Sequence, residues 1–209
     1  MGGKVVVVPT EEEIAPFRRK WAAACRDDLR IEVCGVGMVA VVEAVLAILH
    51  GNDGKPDLII LAGIAGAYSD SGLEIGDCVL VAEERVADAG AFRGERFEPF
   101  AHPVYRSPWV RSFPGFPVAG GNTVGVCAAP FLRTEEGKSL SGAAIENMEG
   151  AAFFAAMANS GVPFLELRAI SNRVGEPREA WDVAWAAERL AEGLGALTIE
   201  KYHPGNNNA

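Results

Sequence analysis

Short continuous apolar runs alternate along this chain with longer segments of helical periodicity, and this alternation limits the possible folds more than any other feature. The run KVVVV at 4–8 shows no polar alternation, which is typical of a strand covered on both faces. The run PDLIILAGIAGAY at 56–68 predicts a strand that ends in a glycine-rich turn at 63–66. Segments 10–28 and 38–51 have helical spacing. This order predicts an α/β fold with a central mixed, largely parallel, twisted sheet flanked by helices on both faces.

The same pattern continues to the end of the chain. Helices are expected at 148–161 and at 178–202, while segment 90–121, rich in proline, glycine and aromatic residues, is interpreted as an irregular excursion. The last helix should bury Trp181, Trp185, Leu190 and Leu194. Further strands are expected at 30–37, 76–88, 122–128, 141–147 and 162–171.

Composition and length exclude several classes of partner. The formal net charge of −9 disfavours binding to a nucleic-acid backbone. No apolar run is long enough to span a bilayer, and no signal peptide is recognisable, so no membrane partner is expected. The four cysteines are far apart, which favours reduced thiols in the cytoplasm and no metal site. We expect one catalytic domain over 1–202 and a disordered tail at 203–209.

Polar and glycine residues recur where the predicted strands end. In parallel α/β sheets, ligands bind at the carboxyl ends of the strands. This coincidence predicts a small-molecule site at that edge. The residues concerned are Glu11–Glu13, Gly35–Gly37, Gly63–Gly66, Asp88, Met148–Glu149 and Ser171–Asn172.

Segment 35–40 matches the dinucleotide-binding pattern GxGxxA, which is weak by itself. The acidic residue that should close the next strand and bind a ribose is missing, because Asp57 opens its strand instead. We therefore reject a nicotinamide cofactor and expect none. The glycines more simply allow a tight turn and a close approach of backbone to ligand.

Each polar residue also has an ordinary structural explanation. Glu149 at a helix start would interact favourably with the helix dipole, and Asn172 could be a turn residue. The triplet Glu11–Glu13 could be a solvated first turn. Their shared position at one sheet edge favours a site.

Five segments, taken in order, resemble the signatures of the purine nucleoside phosphorylase and nucleosidase family. They are TEEEI, GVGMVAVVEA, PDLIILAGIAGAY, NMEGAAF and PFLELRAISN, and the resemblance extends over about 4–202. It implies a single-domain nucleoside phosphorylase-like fold and an enzyme that cleaves an N-glycosidic bond. Within the family, the chain is most similar to hydrolases of menaquinone biosynthesis that release hypoxanthine, and methylthioadenosine/adenosylhomocysteine nucleosidases are the nearest alternative.

The resemblance also implies roles for individual residues. Glu13 matches the glutamate that activates the attacking water. Met148 and Glu149 match the pair that contacts the ribose, where a carboxylate suits two adjacent hydroxyl donors because it accepts from both. The residues expected beside the base and ribose are Ala65, Gly66 and Ser171.

Asn172 departs from the pattern of adenine-specific nucleosidases, which carry an aspartate at this position. Hypoxanthine presents two acceptors, N7 and O6, and the two N–H donors of one asparagine amide suit both. Asn172 therefore indicates hypoxanthine as the leaving base. An amide does not readily give up a proton, so activation of the base would rest on hydrogen bonding.

Hydrolysis is favoured over phosphorolysis. A phosphate site usually contains arginines, and neither glycine segment has an arginine beside it along the chain. The carboxylate of Glu13 would also repel phosphate. Two alternatives remain open: an adenine-releasing nucleosidase, and a non-catalytic nucleoside-binding protein that would not need Glu13.

A homodimer or larger assembly is expected, because segment 97–109 is too apolar to project freely into water. Members of the resembled family often complete the 5′ side of the pocket with such a segment from a neighbouring subunit. Candidates for an anionic group at the 5′ end are Arg93, Arg96, His102 and Arg106.

Overall fold

The computed structural model describes residues 3–21, 29–52, 54–113 and 115–199. The strands are β1 Lys4–Val8, β2 Leu29–Val33, β3 Leu58–Ala67, β4 Cys78–Val86, β5 Gly90–Arg93, β6 Arg96–Pro99, β7 Tyr105–Arg106, β8 Val118–Thr123, β9 Ile145–Asn147 and β10 Phe164–Arg173. The α-helices are α1 Glu11–Trp21, α2 Met38–His50, α3 Gly150–Met157 and α4 Val183–Thr198.

The central sheet is mixed, and part of it closes on itself. Strand β1 pairs in parallel with β2 and β3, and β3 pairs in parallel with β10. From β10 the pairings continue through β4, β8 and β9 back to β3, so these strands form a closed ring. Within the ring, the β10–β4 and β3–β9 pairs are antiparallel. The predicted fold class is confirmed.

Helices cover both faces of the sheet because successive strand residues point to opposite sides. On β1, Val5 and Val7 pack in a core with α2 and α3, whereas Val6 and Val8 pack in a second core with α1 and α4. Burial on both faces explains why β1 reads as an uninterrupted apolar run.

The glycine segment 63–66 lies inside strand β3 and not in a turn, so the predicted end of this strand was wrong. β3 continues to Ala67 and remains paired with β10 along this length. At Gly63, a side chain would overlap the guanidinium of Arg168 and crowd the carboxylate of Glu13. Glycine here makes room for long side chains from other elements.

Segment 90–121 contains more regular structure than predicted. Strands β5 and β6 form a hairpin, β7 pairs with β4, and β8 begins at Val118, before the strand predicted at 122–128. Carboxylates from β4 lie against Gly120 and Gly121, where side chains would otherwise stand. Because glycine occupies these positions, the start of β8 has few apolar residues from which a strand could be predicted.

Helix α4 begins later than predicted, because residues 178–180 form a 3-10 turn. Leu190 and Leu194 are buried as expected. Trp181 precedes the helix and Trp185 is 49% exposed, so the expected burial of the tryptophans was wrong. The residue after Trp185 faces the core. Because successive helix residues are rotated by about 100° around the axis, Trp185 itself points away from the core.

Several expectations fall on residues that the structure does not describe. They concern Cys25, the end of the first predicted helix at 22–28, and the tail at 203–209. In the described part of the chain, no helix has the length and apolar character needed to cross a membrane.

Candidate active site

A cavity of about 430 Å³ lies at the carboxyl ends of strands β1, β3, β9 and β10. All seven residues that were expected to act in catalysis or to contact the base and ribose line it, so the tertiary structure brings together side chains that are far apart along the chain. These residues are Glu13, Ala65, Gly66, Met148, Glu149, Ser171 and Asn172. Their predicted convergence is confirmed, and their roles stay predictions.

Glu13 is the buried member of the acidic triplet at the start of α1. Its Oε1 accepts a hydrogen bond from the backbone N–H of Ile64 at 2.9 Å, and its Oε2 accepts one from the Thr10 hydroxyl at 2.6 Å. The Thr10 hydroxyl in turn accepts from the Glu13 N–H at 3.3 Å, as an N-cap residue does. The helix cap therefore fixes the carboxylate at the cavity.

Burial raises the pKa of the Glu13 carboxyl above its ordinary value. The hydrogen bonds from Thr10 and Ile64 and the charge of Arg168 act in the opposite direction, but burial outweighs them. A carboxylate with a raised pKa is a stronger base, which suits proton abstraction from water.

Glu149 is held by one donor on each carboxylate oxygen. Its Oε1 accepts from the backbone N–H of Gly37 at 2.9 Å, and its Oε2 accepts from Arg168 Nη2 at 3.1 Å. Gly37 has a φ of 100°, which glycine adopts without strain. Because each carboxylate oxygen can accept more than one hydrogen bond, Glu149 can still bind two hydroxyl groups.

Arg168 on β10 is a buried site residue that sequence analysis missed. Its Nε donates to Glu166 at 2.8 Å, and its Nη2 also donates to Asn147 Oδ1 at 3.2 Å. The side chain packs against Gly63, so an arginine does accompany a glycine segment in space, although not along the chain. The signal was the pair of charged residues, Glu166 and Arg168, inside an apolar strand: such charges are rarely buried unless paired.

Two further carboxylates lie behind Arg168, on β4 and β10. Glu84 accepts from Asn147 Nδ2 at 2.6 Å and from the Thr123 hydroxyl at 2.8 Å. Glu166 accepts from Arg168 through Oε1, while its Oε2 is buried without a hydrogen-bond partner in the described residues. Burial raises the pKa of both carboxyls, and repulsion from Glu166 adds to the rise at Glu84.

Asn172 has a side-chain orientation set by its neighbours. Its Oδ1 accepts from the Ser171 hydroxyl at 2.8 Å, and its Nδ2 donates to the backbone carbonyl of Arg173 at 2.9 Å. One N–H of the amide is thus already used, which corrects the expectation that both N–H donors serve the base. A single N–H remains for a purine acceptor.

A protein-family model described as the phosphorylase superfamily matches residues 4–202. The chain belongs to the phosphorylase superfamily. Two curated superfamily relatives are futalosine hydrolases. The one from Thermus thermophilus is 35% identical over 184 residues, covering 80% of each chain. The one from Streptomyces coelicolor is 33% identical over 170 residues, covering 73% of this chain and 71% of the relative.

Solved structures share this superfamily fold. Futalosine hydrolase from Helicobacter pylori matches with a TM-score of 0.74 and 15% identity, covering 96% of this chain and 98% of that chain. The 5′-methylthioadenosine/S-adenosylhomocysteine nucleosidase of Streptococcus pneumoniae in complex with 8-aminoadenine matches with a TM-score of 0.72 and 19% identity, covering 94% and 99%. At these identities, the likeness concerns the fold.

Other predicted residues of this superfamily member lie away from the cavity lining. Asp88 accepts from the backbone N–H groups at 125 and 126 and thus closes a loop. Arg93 and Arg106 pair with Glu98 and Glu83. His102 lines a second cavity, of about 360 Å³. None of the candidates for the 5′ anionic group therefore lines the first cavity.

Proposed function

We propose that this protein hydrolyses the N-glycosidic bond of futalosine and releases hypoxanthine and dehypoxanthine futalosine, a step of menaquinone biosynthesis. The observation that carries the proposal is the convergence of Glu13, Glu149 and Asn172 on one cavity. The futalosine hydrolases among the curated relatives support the substrate. No cofactor takes part in the proposed reaction.

In this mechanism, Glu13 acts as the general base. A water oxygen attacks C1′ of the ribose and gives a proton to the Glu13 carboxylate, while the electron pair of the C1′–N9 bond moves into the purine. A second water gives the departing base its proton, since the Asn172 amide is too weak an acid to do so. The hydroxide left by that water takes the proton from Glu13, which restores the carboxylate. The raised pKa of Glu13 strengthens it as a base.

Glu149 binds the 2′- and 3′-hydroxyls of the ribose in this proposal, and Met148 packs against the sugar. Positive charge develops on the ribose as the glycosidic bond breaks, and a carboxylate held in place stabilises it. Arg168 and the Gly37 N–H prevent Glu149 from turning away. Arg168 thereby acts as a positioning residue.

Asn172 selects the base through its remaining N–H, with Ser171, Ala65 and Gly66 beside it. This donor faces the edge on which hypoxanthine presents two acceptors, N7 and O6. Adenine presents one acceptor and one donor there, so the remaining N–H can bond to only one position on that edge, and the Asn172 Oδ1 already accepts from the Ser171 hydroxyl. A 6-oxopurine is therefore the better match.

Hydrolysis is favoured over phosphorolysis because the cavity does not offer a free positive charge at its floor. Arg168 is paired with Glu149 and Glu166. Five glutamates line the cavity, and they would oppose a phosphate dianion: Glu12, Glu13, Glu146, Glu149 and Glu176.

Product analysis tests this function. The protein is incubated with futalosine, inosine or methylthioadenosine, with and without phosphate, and the base and sugar products are identified chromatographically. Hypoxanthine and a free sugar, formed at a rate independent of phosphate, are expected. A sugar 1-phosphate would indicate a phosphorylase, and adenine release would indicate the alternative nucleosidase. Futalosine binding without cleavage would indicate a non-catalytic binder.

We further propose that the enzyme is a cytoplasmic homodimer or larger homo-oligomer. Phe92 and Phe100 in and after the β5–β6 hairpin are 57% and 60% exposed, and Val36 and Val39 near the start of α2 are 56% and 74% exposed. Apolar surface of this kind suits burial against a second copy. Sedimentation of the active protein should give at least twice the monomer mass, and an active monomer at low concentration would refute the assembly.

A further inference from the structure

Arg178 places a positive charge at the mouth of the cavity, whose lining includes five glutamates and, at the floor, the paired Arg168. Its guanidinium carbon lies 4.7 Å from the centre of the Trp181 ring, and both residues line the cavity. Arg178 is exposed, and it forms no ion pair with a carboxylate among the described residues. Its charge is therefore available to a ligand.

The segment that carries Arg178 is tied to the base-binding end of the cavity. The Trp181 indole N–H donates to the backbone carbonyl of Glu176 at 3.2 Å, and the Trp181 backbone N–H donates to the Arg178 carbonyl at 3.2 Å. The next residue, Asp182, donates its N–H to the Ser171 carbonyl at 2.9 Å. Ser171 adjoins Asn172, so the mouth and the base end are held at a fixed separation.

Arg178 also acts electrostatically across the cavity. Burial raises the pKa of the Cys127 thiol, and the carboxylates of Glu146 and Glu149 add to the rise. The positive charge of Arg178 acts in the opposite direction on the same thiol. Cys127 lines the cavity from the connection between β8 and β9, so the guanidinium lies within electrostatic reach of the cavity interior.

We propose that Arg178 and Trp181 form the subsite for an aromatic carboxylate attached at the 5′ end of the nucleoside. This inference rests on the proposed function and adds to it, because it names the residues that select the substrate class. A guanidinium offers a planar fork of N–H donors that matches a carboxylate. Trp181 and the apolar lining residue Val183 supply the surface for the ring.

A carboxylate fits this mouth better than a phosphate. A phosphate monoester carries a charge of roughly −1.5 to −2 at neutral pH, whereas an aryl carboxylate carries a single charge. Glu12 and Glu176 line the same cavity as Arg178 and would repel the larger charge more strongly. Futalosine, whose 5′ substituent ends in a benzoate, has the required chemistry, and a nucleoside 5′-monophosphate does not.

Steady-state kinetics on charged and neutral substrates test the subsite. Wild type and Arg178→Gln are compared on futalosine, its carboxyl methyl ester, inosine and inosine 5′-monophosphate. Loss of a charge-assisted hydrogen bond at an exposed site should raise the KM for futalosine roughly tenfold, with kcat nearly unchanged. The KM for the ester and for inosine should not change, and Arg178→Lys should lose less than Arg178→Gln.

Arg189→Gln provides a matched control. Arg189 also lies over a tryptophan, 5.8 Å from the Trp185 ring centre, but neither residue lines the cavity. This variant should leave every KM unchanged. Equal losses on futalosine and inosine in Arg178→Gln would overturn the subsite. So would a wild-type preference for inosine 5′-monophosphate over inosine that Arg178→Gln abolishes, since the subsite would then be one for phosphate.

The test separates this inference from the proposed function. Hydrolysis of futalosine by wild type with an unchanged KM in Arg178→Gln would refute the subsite alone. If wild type cleaves none of the nucleosides, tryptophan fluorescence measures futalosine binding instead. A Kd that rises roughly tenfold in Arg178→Gln would then support the subsite while the proposed function fails. A Kd that does not change would refute both.

Discussion

The floor of the cavity and its mouth each contain an arginine, but the two arginines differ in solvent exposure, in ion pairing and in the side chains around them. The side chain of Arg168 at the floor is 1% exposed and is paired with Glu149 and Glu166, which are 4% and 0% exposed. Arg178 at the mouth is exposed, lies over Trp181 and has no carboxylate partner among the described residues.

This difference indicates two uses of the same side chain. Desolvation makes an unpaired buried charge very costly, so Arg168 must be neutralised by its own protein, and the resulting network holds Glu149 rigidly. A charge in contact with water has no such requirement. The charge of Arg178 can therefore interact with a ligand, whereas Arg168 can only position other groups.

The largest effect is expected at the floor, at Glu13. Glu13→Gln should keep the shape of the site and the affinity for substrate, but it removes the group that takes a proton from water. Hydrolysis should therefore slow by ~10²–10⁴-fold, the usual contribution of a positioned general base. Single-turnover kinetics on futalosine measure the chemical step directly.

Glu11→Gln is the matched control for this variant, since Glu11 is exposed and pairs with Arg18 at the surface. It should leave the rate unchanged. In the wild type, kcat/KM should decrease as the pH is lowered, because Glu13 must be ionised to act as the base. The midpoint of this decrease should lie above the ordinary pKa of glutamate, because the pKa of Glu13 is raised. A Glu13→Gln variant with nearly wild-type rate would assign the role of base to another group.

The stability of the two arginine variants should differ sharply. Arg168→Met leaves Glu149 and Glu166 buried without their cation, and removal of one partner of a buried ion pair costs about 3–5 kcal/mol. Arg178→Gln should change the free energy of unfolding by less than about 0.5 kcal/mol, as exposed substitutions usually do. Urea denaturation measures both, and equal losses would remove the distinction between floor and mouth.

Base preference should shift in Asn172→Asp. An ionised carboxylate would face the Arg173 carbonyl and two acceptors of hypoxanthine, whereas a protonated one can both donate to and accept from the adenine edge. Mismatched buried hydrogen bonds cost ~1–3 kcal/mol, so the preference for hypoxanthine over adenine should fall roughly tenfold or more. Paired kinetics on inosine and adenosine measure the ratio, and an unchanged ratio would mean that Asn172 does not read the base.

The smallest effect concerns Glu84 behind the floor. A carboxyl whose pKa is raised in the folded state stabilises the fold at low pH, and this contribution is lost as the pH rises through the folded-state pKa. Glu84→Gln mimics the protonated form, so its thermal midpoint relative to wild type should increase between pH 5 and pH 8. A difference that stays constant with pH would show that Glu84 does not ionise in this range.

The sequence predicted the strand–helix order and the residues at the sheet edge, but not the group that connects them. Glu13 and Asn172 could be found because each follows or ends an apolar strand. Arg168 was overlooked because its local signal, a charged pair with Glu166 inside an apolar strand, does not show that it also meets Glu149. The start of strand β8 was predicted too late because positions 120 and 121 are glycines and show no apolar pattern. Glycines are needed there because carboxylates from β4 occupy the space of a side chain.

By itself, the sequence determined the α/β order and the strands and helices with a clear apolar pattern, because periodicity and apolar content act over a few residues. Only the tertiary structure decided which charges meet. It enclosed Arg168 between carboxylates from β10 and the start of α3 and a side-chain amide from β9, and it left Arg178 on a tryptophan at the mouth. The reason is physical: the cost or value of a charge depends on its solvation and its neighbours, and both are set by contacts between residues distant in sequence.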